Sequence, residues 1–225
     1  MTKVAATTLA IMKLTDEKKS SLDDTLGKFL PELRGSNKAP LTIRSVMAHQ
    51  AGLKDWIPFY KELIRSGKPD PEFFRTDSAA DFSIKVAGSL YLRNDYPAVI
   101  IRSIADSPLS AEKGYRYSDL GFYLLKMVIE RISGQTFEKY LDDQFYKPLG
   151  LQHTAFNPRG RVSAGEVIPT EMDTEFRQQL IRGYVHDPGA AMLGGVSGHA
   201  GLFSNSYDLA VIMQLLIQKG VYGGR

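Results

Sequence analysis

Along the chain, apolar residues fall into stretches of helical spacing separated by polar or glycine- and proline-rich connectors. Val4, Leu9 and Met12, with Ala5 and Ala6, predict a first helix with one apolar face, ending near Leu14. The polar connector "TDEKKSSLDD" follows, and "LGKFLPEL" reads as a short helical turn stopped by Pro31. Thr42 is placed to cap a helix over "IRSVMAHQAGL", closed by Gly52. Residues 55–82 are aromatic and broken by prolines, which predicts short helices and loops. "SLYLR" (89–93) has strand character, and "AVIIRSIADS" reads as helix.

From Tyr117 to Ile132 the residues Leu120, Leu124, Leu125, Val128, Ile129 and Ile132 keep helical spacing, and Gly134 ends the element. Thr136 is placed to cap the next helix, "FEKYLDDQFY", which stops before Pro148. A long irregular stretch runs from Gly150 to about Gly201; such loops inside compact domains often carry function. Asn205 and Ser206 are candidate caps for the last helix, "YDLAVIMQLLIQKG". There is no internal repeat. The pattern predicts a mainly helical chain with too little strand to make a full sheet.

Composition narrows the function more than the fold. The 225 residues suit one large domain that needs no disulfide or metal staple. The 28 basic and 25 acidic residues leave a net charge of +3, with no clustered basic stripe of the kind nucleic acid requires. Lys18-Lys19, the one tight basic pair, reads as a solvated helix end. Cysteine is absent, which excludes disulfides, thiolate zinc sites and cysteine nucleophiles and leaves the compartment open. No apolar stretch approaches the ~20 residues that span a bilayer. The opening "MTKVAATTLAIMKL" imitates a signal peptide, but Thr7, Thr8 and Lys13 interrupt it and no small-residue cleavage site follows.

His49, His153, His186 and His199 form no metal-ligand spacing, so neither metal nor cofactor is expected. "GGVSGHAG" (194–201) imitates a nucleophile elbow around Ser197, but the second glycine is missing and no clear strand precedes it; it reads as a loop leading to the last helix. "YRYSDLGFYLLKMV" (115–128) gathers a phenol, a hydroxyl and a carboxylate at a helix start. Ser118 or Asp119 capping the helix, and a reaction site, are both open readings.

Four stretches in order resemble the serine β-lactamase and penicillin-binding-protein superfamily, in its class C-like esterase branch. "TKVAATTLAIMKL" is similar to the helix that follows the nucleophile in S-x-x-K. "LTIRSVMAHQAGL" resembles T-I-R-x-L-L-x-H-x-S-G-L. "GYRYSDLGFYLLKMVIERISGQTFEKYLDDQFYKPLGLQHTAF" resembles the Y-S-N-x-G-F-x-L-L segment and its helix, and "GGVSGHAGLFSNSYDLAVIMQLL" the G-G-L-x-S-T-x-x-D-L-A helix. The nearest likeness is to β-lactamase-like domains fused to bacterial glycoside hydrolases.

The resemblance implies an α+β fold of β-lactamase/penicillin-binding-protein type, mostly its helical part. Residues 1–225 would be a single truncated domain, with the remaining strands and the third motif (K-T-G or H-x-G) outside the chain. It makes Lys3 the lysine of S-x-x-K, with the serine one position before Met1. Tyr117 becomes the tyrosine of Y-x-N, and Asp119 replaces the asparagine. A serine hydroxyl is a poor nucleophile until a neighbour takes its proton. Lysine and tyrosine side by side can serve, because each alters the other's hold on its proton. The implied reaction is acyl transfer from an amide or ester, such as a cell-wall peptide, through an acyl-enzyme, with these 225 residues inactive alone. A non-catalytic binding module on the same fold is the competing reading. Asp119 argues for a substrate other than a β-lactam, or for a direct pair with Lys3; His199 and His186 are candidate substrate contacts in the glycine-rich loop. His49 resembles a family histidine that packs. A periplasmic or extracellular location follows from the resemblance alone.

Overall fold

A computed structural model describes residues 1–112 and 114–224. The first helix opens as a π-helical segment, Lys3–Thr8, and continues as α1, Leu9–Asp16. Short helices α2 (Leu26–Phe29) and α3 (Ile43–Met47) follow. Then come the hairpin β1 (Ile64–Arg65) and β2 (Lys68–Pro69), and a three-stranded antiparallel sheet of β3 (Phe74–Arg75), β4 (Ile84–Ala87) and β5 (Leu90–Leu92) in the order β3-β5-β4. Helices α4 (Tyr96–Asp106), α5 (Leu120–Ser133) and α6 (Phe137–Leu141) come next, α6 running into a π-helical turn, Asp142–Tyr146. β6 (Ala155–Phe156), β7 (Glu171–Asp173), β8 (Gln179–Ile181), α7 (Pro188–Met192), β9 (Leu202–Phe203) and α8 (Ser206–Ile217) complete the chain. β7 pairs with β8 and β6 with β9, both antiparallel. Among the described residues no sheet exceeds three strands.

Helix α5 is the axis of the core. Leu120, Phe122, Tyr123, Leu124, Leu125, Val128 and Ile129 are all buried, so it is apolar around most of its circumference. It packs against the first helix, α2, α3, α4 and α6. Gly121 sets the approach of α3: a Cβ there would lie 2.3 Å from Val46 Cγ1. The α5 helix ends as its sequence predicts, on Gly134 in the left-handed region (φ 68°).

Several expected caps are made and others are not. Thr42 Oγ1 accepts from Ser45 N–H at 3.1 Å, and Asn205 Oδ1 from Asp208 N–H at 2.8 Å. Thr136 makes no side-chain cap; Glu130 Oε1 accepts the Phe137 N–H instead, at 2.9 Å. Helix α3 stops at Met47, well short of Gly52, because His49 turns the backbone into the left-handed region (φ 55°). Pro31 opens a 3₁₀ turn, Pro31–Leu33, where its fixed φ suits a first position.

The first helix buries part of the face its spacing predicts, rotated away from Val4 and Met12. Ala5, Ala6, Leu9, Ala10, Ile11 and Leu14 are buried, whereas Val4 and Met12 remain 45% and 48% exposed. Small alanines let this helix lie close to α5. On α8, Tyr207, Met213 and Ile217 are exposed as well. A groove of about 1450 Å³, lined by Leu9, Met12, Met47, Phe145, Leu215 and Leu216, lies between these elements. Contiguous exposed apolar surface drives association. We expect light scattering to give a mass above the 25.0 kDa monomer that rises with concentration, and Met12→Glu/Leu216→Glu to lower it. A concentration-independent monomer would show that the groove is inert.

Candidate active site

The first helix and the segment before α5 meet at Lys3. Lys3 Nζ donates to Tyr117 Oη at 2.6 Å and to Asp119 Oδ1 at 2.5 Å. It also sits over the Tyr117 ring, 4.7 Å from its centroid, and 5.5 Å from that of Phe122. The Lys3 side chain is 15% exposed, while Tyr117 is half exposed. The centre is therefore open on the phenol side and closed on the ammonium side.

Backbone bonds fix the Tyr115–Asp119 segment. Arg116 N–H donates to His49 O at 2.7 Å, and Asp119 N–H to Asp55 O at 2.9 Å. Ser118 N–H donates to His49 Nδ1 at 3.1 Å, and Ser118 Oγ donates to Lys54 O while accepting from Leu120 N–H at 3.1 Å. The capping alternative is thereby divided. Ser118 serves the helix start, whereas Asp119, at the N-cap position, makes no side-chain cap and turns to Lys3.

The Asp119 contact changes the chemistry of the lysine. Burial, the largest influence, works against the Lys3 ammonium; hydrogen bonds and charge from Asp119 and Tyr117 together outweigh it and hold the group above the usual lysine range. A lysine lowered by burial into a free base does not fit this arrangement. His49 moves the other way: burial first, then the Lys3 charge, lower it below the usual histidine range, with Asp119 opposing.

The glycine-rich loop folds under the same centre. Asp187 Oδ1 caps α7 through Ala190 N–H at 2.7 Å and meets His199 Nε2 at 2.8 Å. His199 Nδ1 meets Ser197 Oγ at 2.9 Å, and the ring stacks on Tyr123 at 4.2 Å. The loop is tied to the first helix by Thr7 Oγ1 donating to Gly198 O at 2.7 Å and Leu202 N–H donating to Thr2 Oγ1 at 3.1 Å. These two bonds bracket Lys3.

Asp187, His199 and Ser197 have the residue types of a hydrolytic triad, but Ser197 is fully buried, which closes it to a substrate. Burial pushes hardest against ionising Asp187; the His199 contact and the α7 cap win and keep its carboxyl below the usual range. One ligand atom each of Asp119, Asp187 and His199 lies within 4.8 Å of the others. Asp119 Oδ1 accepts from Lys3, and Asp187 Oδ1 meets His199 and accepts from Ala190 N–H.

Lys3, Tyr117 and Asp119 are thus brought together, with His199 one carboxylate away. His186 is not: its side chain is 70% exposed and faces Glu171 at 3.3 Å. Among the described residues it makes no hydrogen bond or ion pair with Lys3, Tyr117 or Asp119. Sequence reasoning missed Asp187; the D-P-G step that caps α7 was its only local signal.

Residues 1–223 match the sequence model of the family described as Beta-lactamase. A provisionally named D-alanyl-D-alanine carboxypeptidase of Escherichia coli (strain K12) is 32% identical over 242 residues, covering 99% of this chain and 50% of that protein. The chain spans about half the length of the curated relatives it matches. The octameric penicillin-binding protein homologue from Pyrococcus abyssi superposes with a TM-score of 0.61 at 24% identity, covering 98% of this chain and 44% of that one. The D-stereospecific amidohydrolase from Streptomyces sp. superposes with a TM-score of 0.63 at 20% identity, covering 96% and 59%. Both structures share the fold.

Proposed function

The chain belongs to the beta-lactamase family, and from that premise we propose that it carries the lysine–tyrosine half of a serine acyl-hydrolase centre acting on an amide or ester. The observation that carries this reading is the 2.6 Å contact between Lys3 Nζ and Tyr117 Oη, groups 114 residues apart. The nucleophile of this scheme is a serine three residues ahead of Lys3, on the same helical face. Lys3, held as an ammonium by Asp119, is a poor proton acceptor. In this scheme Tyr117 reacts as the phenolate: its oxygen, which receives the Lys3 N–H, takes the serine proton to become the phenol and then returns that proton to the leaving group, with Lys3 supporting the phenolate charge at either end of the cycle. Serine oxygen bonds to the carbonyl carbon, the amine or alcohol departs, and water then releases the acyl group. The name of the Escherichia coli relative suggests a D-alanyl peptide of the cell wall as the substrate. Asp119, which only accepts hydrogen bonds when ionised, cannot donate to a substrate amide carbonyl as asparagine would.

A labelled fluorophosphonate or penicillin tests the reading on the longer protein. We expect one covalent adduct at the serine three residues before Lys3, and negligible nitrocefin or p-nitrophenyl ester turnover from residues 1–225 alone. The Lys3–Asp119 pair also favours a second reading, in which the ammonium is neutralised and the fold only binds ligand. Absence of an adduct on intact, folded protein would select that second reading.

A further inference from the structure

Tyr117 is half exposed and stands outside the regular helix, yet its phenol is aimed at one ammonium. Something other than core burial must hold it. The structure supplies one candidate packed against the ring. The His49 imidazole lies 4.6 Å from the Tyr117 ring at 32°, with Phe122 5.4 Å away and Tyr115 edge-on at 5.8 Å. His49 grips the Tyr117 segment on both flanks. Its carbonyl accepts Arg116 N–H, and its Nδ1 accepts Ser118 N–H.

We infer that His49 is a positioning residue for Tyr117, acting as the neutral ring with its proton on Nε2. The geometry dictates the tautomer. A backbone N–H can only donate, so Nδ1 must present a lone pair, and an imidazolium would turn N–H against N–H. The charged and titratable groups around the ring are Lys3 from the first helix, and Tyr115, Arg116, Tyr117 and Asp119 from the segment it grips. Lys3 opposes protonation, Asp119 favours it, and Arg116 is paired with Asp55. The left-handed backbone at residue 49 is part of the same device. It ends α3 and turns the imidazole back over Tyr117, and histidine is among the few side chains that enter that region readily.

The sign of the pH effect follows. The fold favours neutral His49, so its grip is complete above the ordinary histidine range near ~6.5 and is lost as pH falls through the lower folded midpoint. The positional claim stands on the geometry alone; only its catalytic consequence rests on the proposed role of Tyr117. For that reason the test uses no turnover. Histidine ¹⁵N spectra of the 225-residue chain report the tautomer, and amide exchange, corrected for intrinsic rates, reports the Ser118 bond. We expect an Nε2–H tautomer at neutral pH and a roughly tenfold loss of Ser118 protection on titrating His49. The Tyr117 ring signals should move with the same midpoint. His49→Asn keeps an acceptor and tolerates the left-handed backbone but does not titrate, so Ser118 should stay protected throughout. His49→Ala should leave it unprotected throughout; if that variant does not fold, wild type against His49→Asn decides. An Nδ1–H tautomer, Ser118 protection that is flat through the His49 titration, or acid loss retained in His49→Asn would each overturn the inference.

Discussion

Lys3→Ala should slow acylation of the serine-bearing protein by a fluorophosphonate about 10²–10⁴-fold, while its circular dichroism stays that of wild type. Two physical steps lead to that expectation. In the proposed scheme the ammonium, 2.6 Å from the Tyr117 oxygen, supports the negative charge that oxygen carries during the reaction, and alanine would leave that charge unsupported. The same change removes the partner of Asp119, whose side chain is only 20% exposed and would then stand near Asp187 without its cation. Lys3→Arg should rescue little, because a planar guanidinium cannot place one proton on the phenol and one on the carboxylate with the reach of a primary ammonium. Asp119→Asn separates the two steps. It keeps Lys3 and removes the strongest influence holding it above the usual lysine range, so the Lys3 titration should come down. The stability this pair lends is complete below the ordinary lysine range and is lost as pH rises through the elevated folded midpoint. An acylation rate unchanged in folded Lys3→Ala would remove the lysine from the mechanism.

The parts of this molecule that were legible in its sequence are those where one local signal dominates. Helices α4, α5 and α8 carry long apolar runs with clear stops, and each forms close to where its spacing places it. The first helix forms too, with Ala5, Ala6 and Leu9 buried as expected and Val4 and Met12 left outside. Alanines contribute little to an apolar periodicity, yet here Ala5, Ala6 and Ala10 are the contact surface because a close approach to α5 needs small side chains. Helix α3 ends early for a reason that composition does not encode: His49 enters the left-handed region three residues before Gly52, which is left-handed too. At the site, likeness of motifs pointed to Lys3 and Tyr117, and the contact between them is a fact of tertiary structure that no spacing could give. Asp119 illustrates the limit. Its type allowed a cap or an ion pair, and the choice depended on Lys3 arriving from the other end of the chain. The Asp187–His199–Ser197 chain was invisible for a similar reason: its members lie within 13 positions, 187–199, but only the fold of the loop turns their side chains together.

That loop leads to the second large effect, Gly198→Ala. A Cβ at residue 198 would fall 2.2 Å from the Phe122 carbonyl oxygen and 3.1 Å from Thr7 Oγ1. The first neighbour is backbone in the central helix, which cannot give way, so the loop must withdraw. Withdrawal stretches the Thr7-to-Gly198 hydrogen bond and carries Leu202 away from Thr2, the two ties that bracket Lys3. Overpacking of this kind costs about 1–3 kcal/mol, and loss of a buried hydrogen bond adds about 1 kcal/mol. We expect a destabilisation of about 2–4 kcal/mol, read as a lower denaturant midpoint with an unchanged slope. Gly165→Ala is the control, since nothing lies within 4 Å of a Cβ there, and it should stay within about 0.5 kcal/mol of wild type. The two outcomes differ in kind as well as size. A rigid loop that is only a lid would lose stability and leave the Lys3 titration alone, whereas a loop that sets the helix should lose both together. A Gly198→Ala protein as stable as wild type would mean that the loop does not clamp the first helix at all.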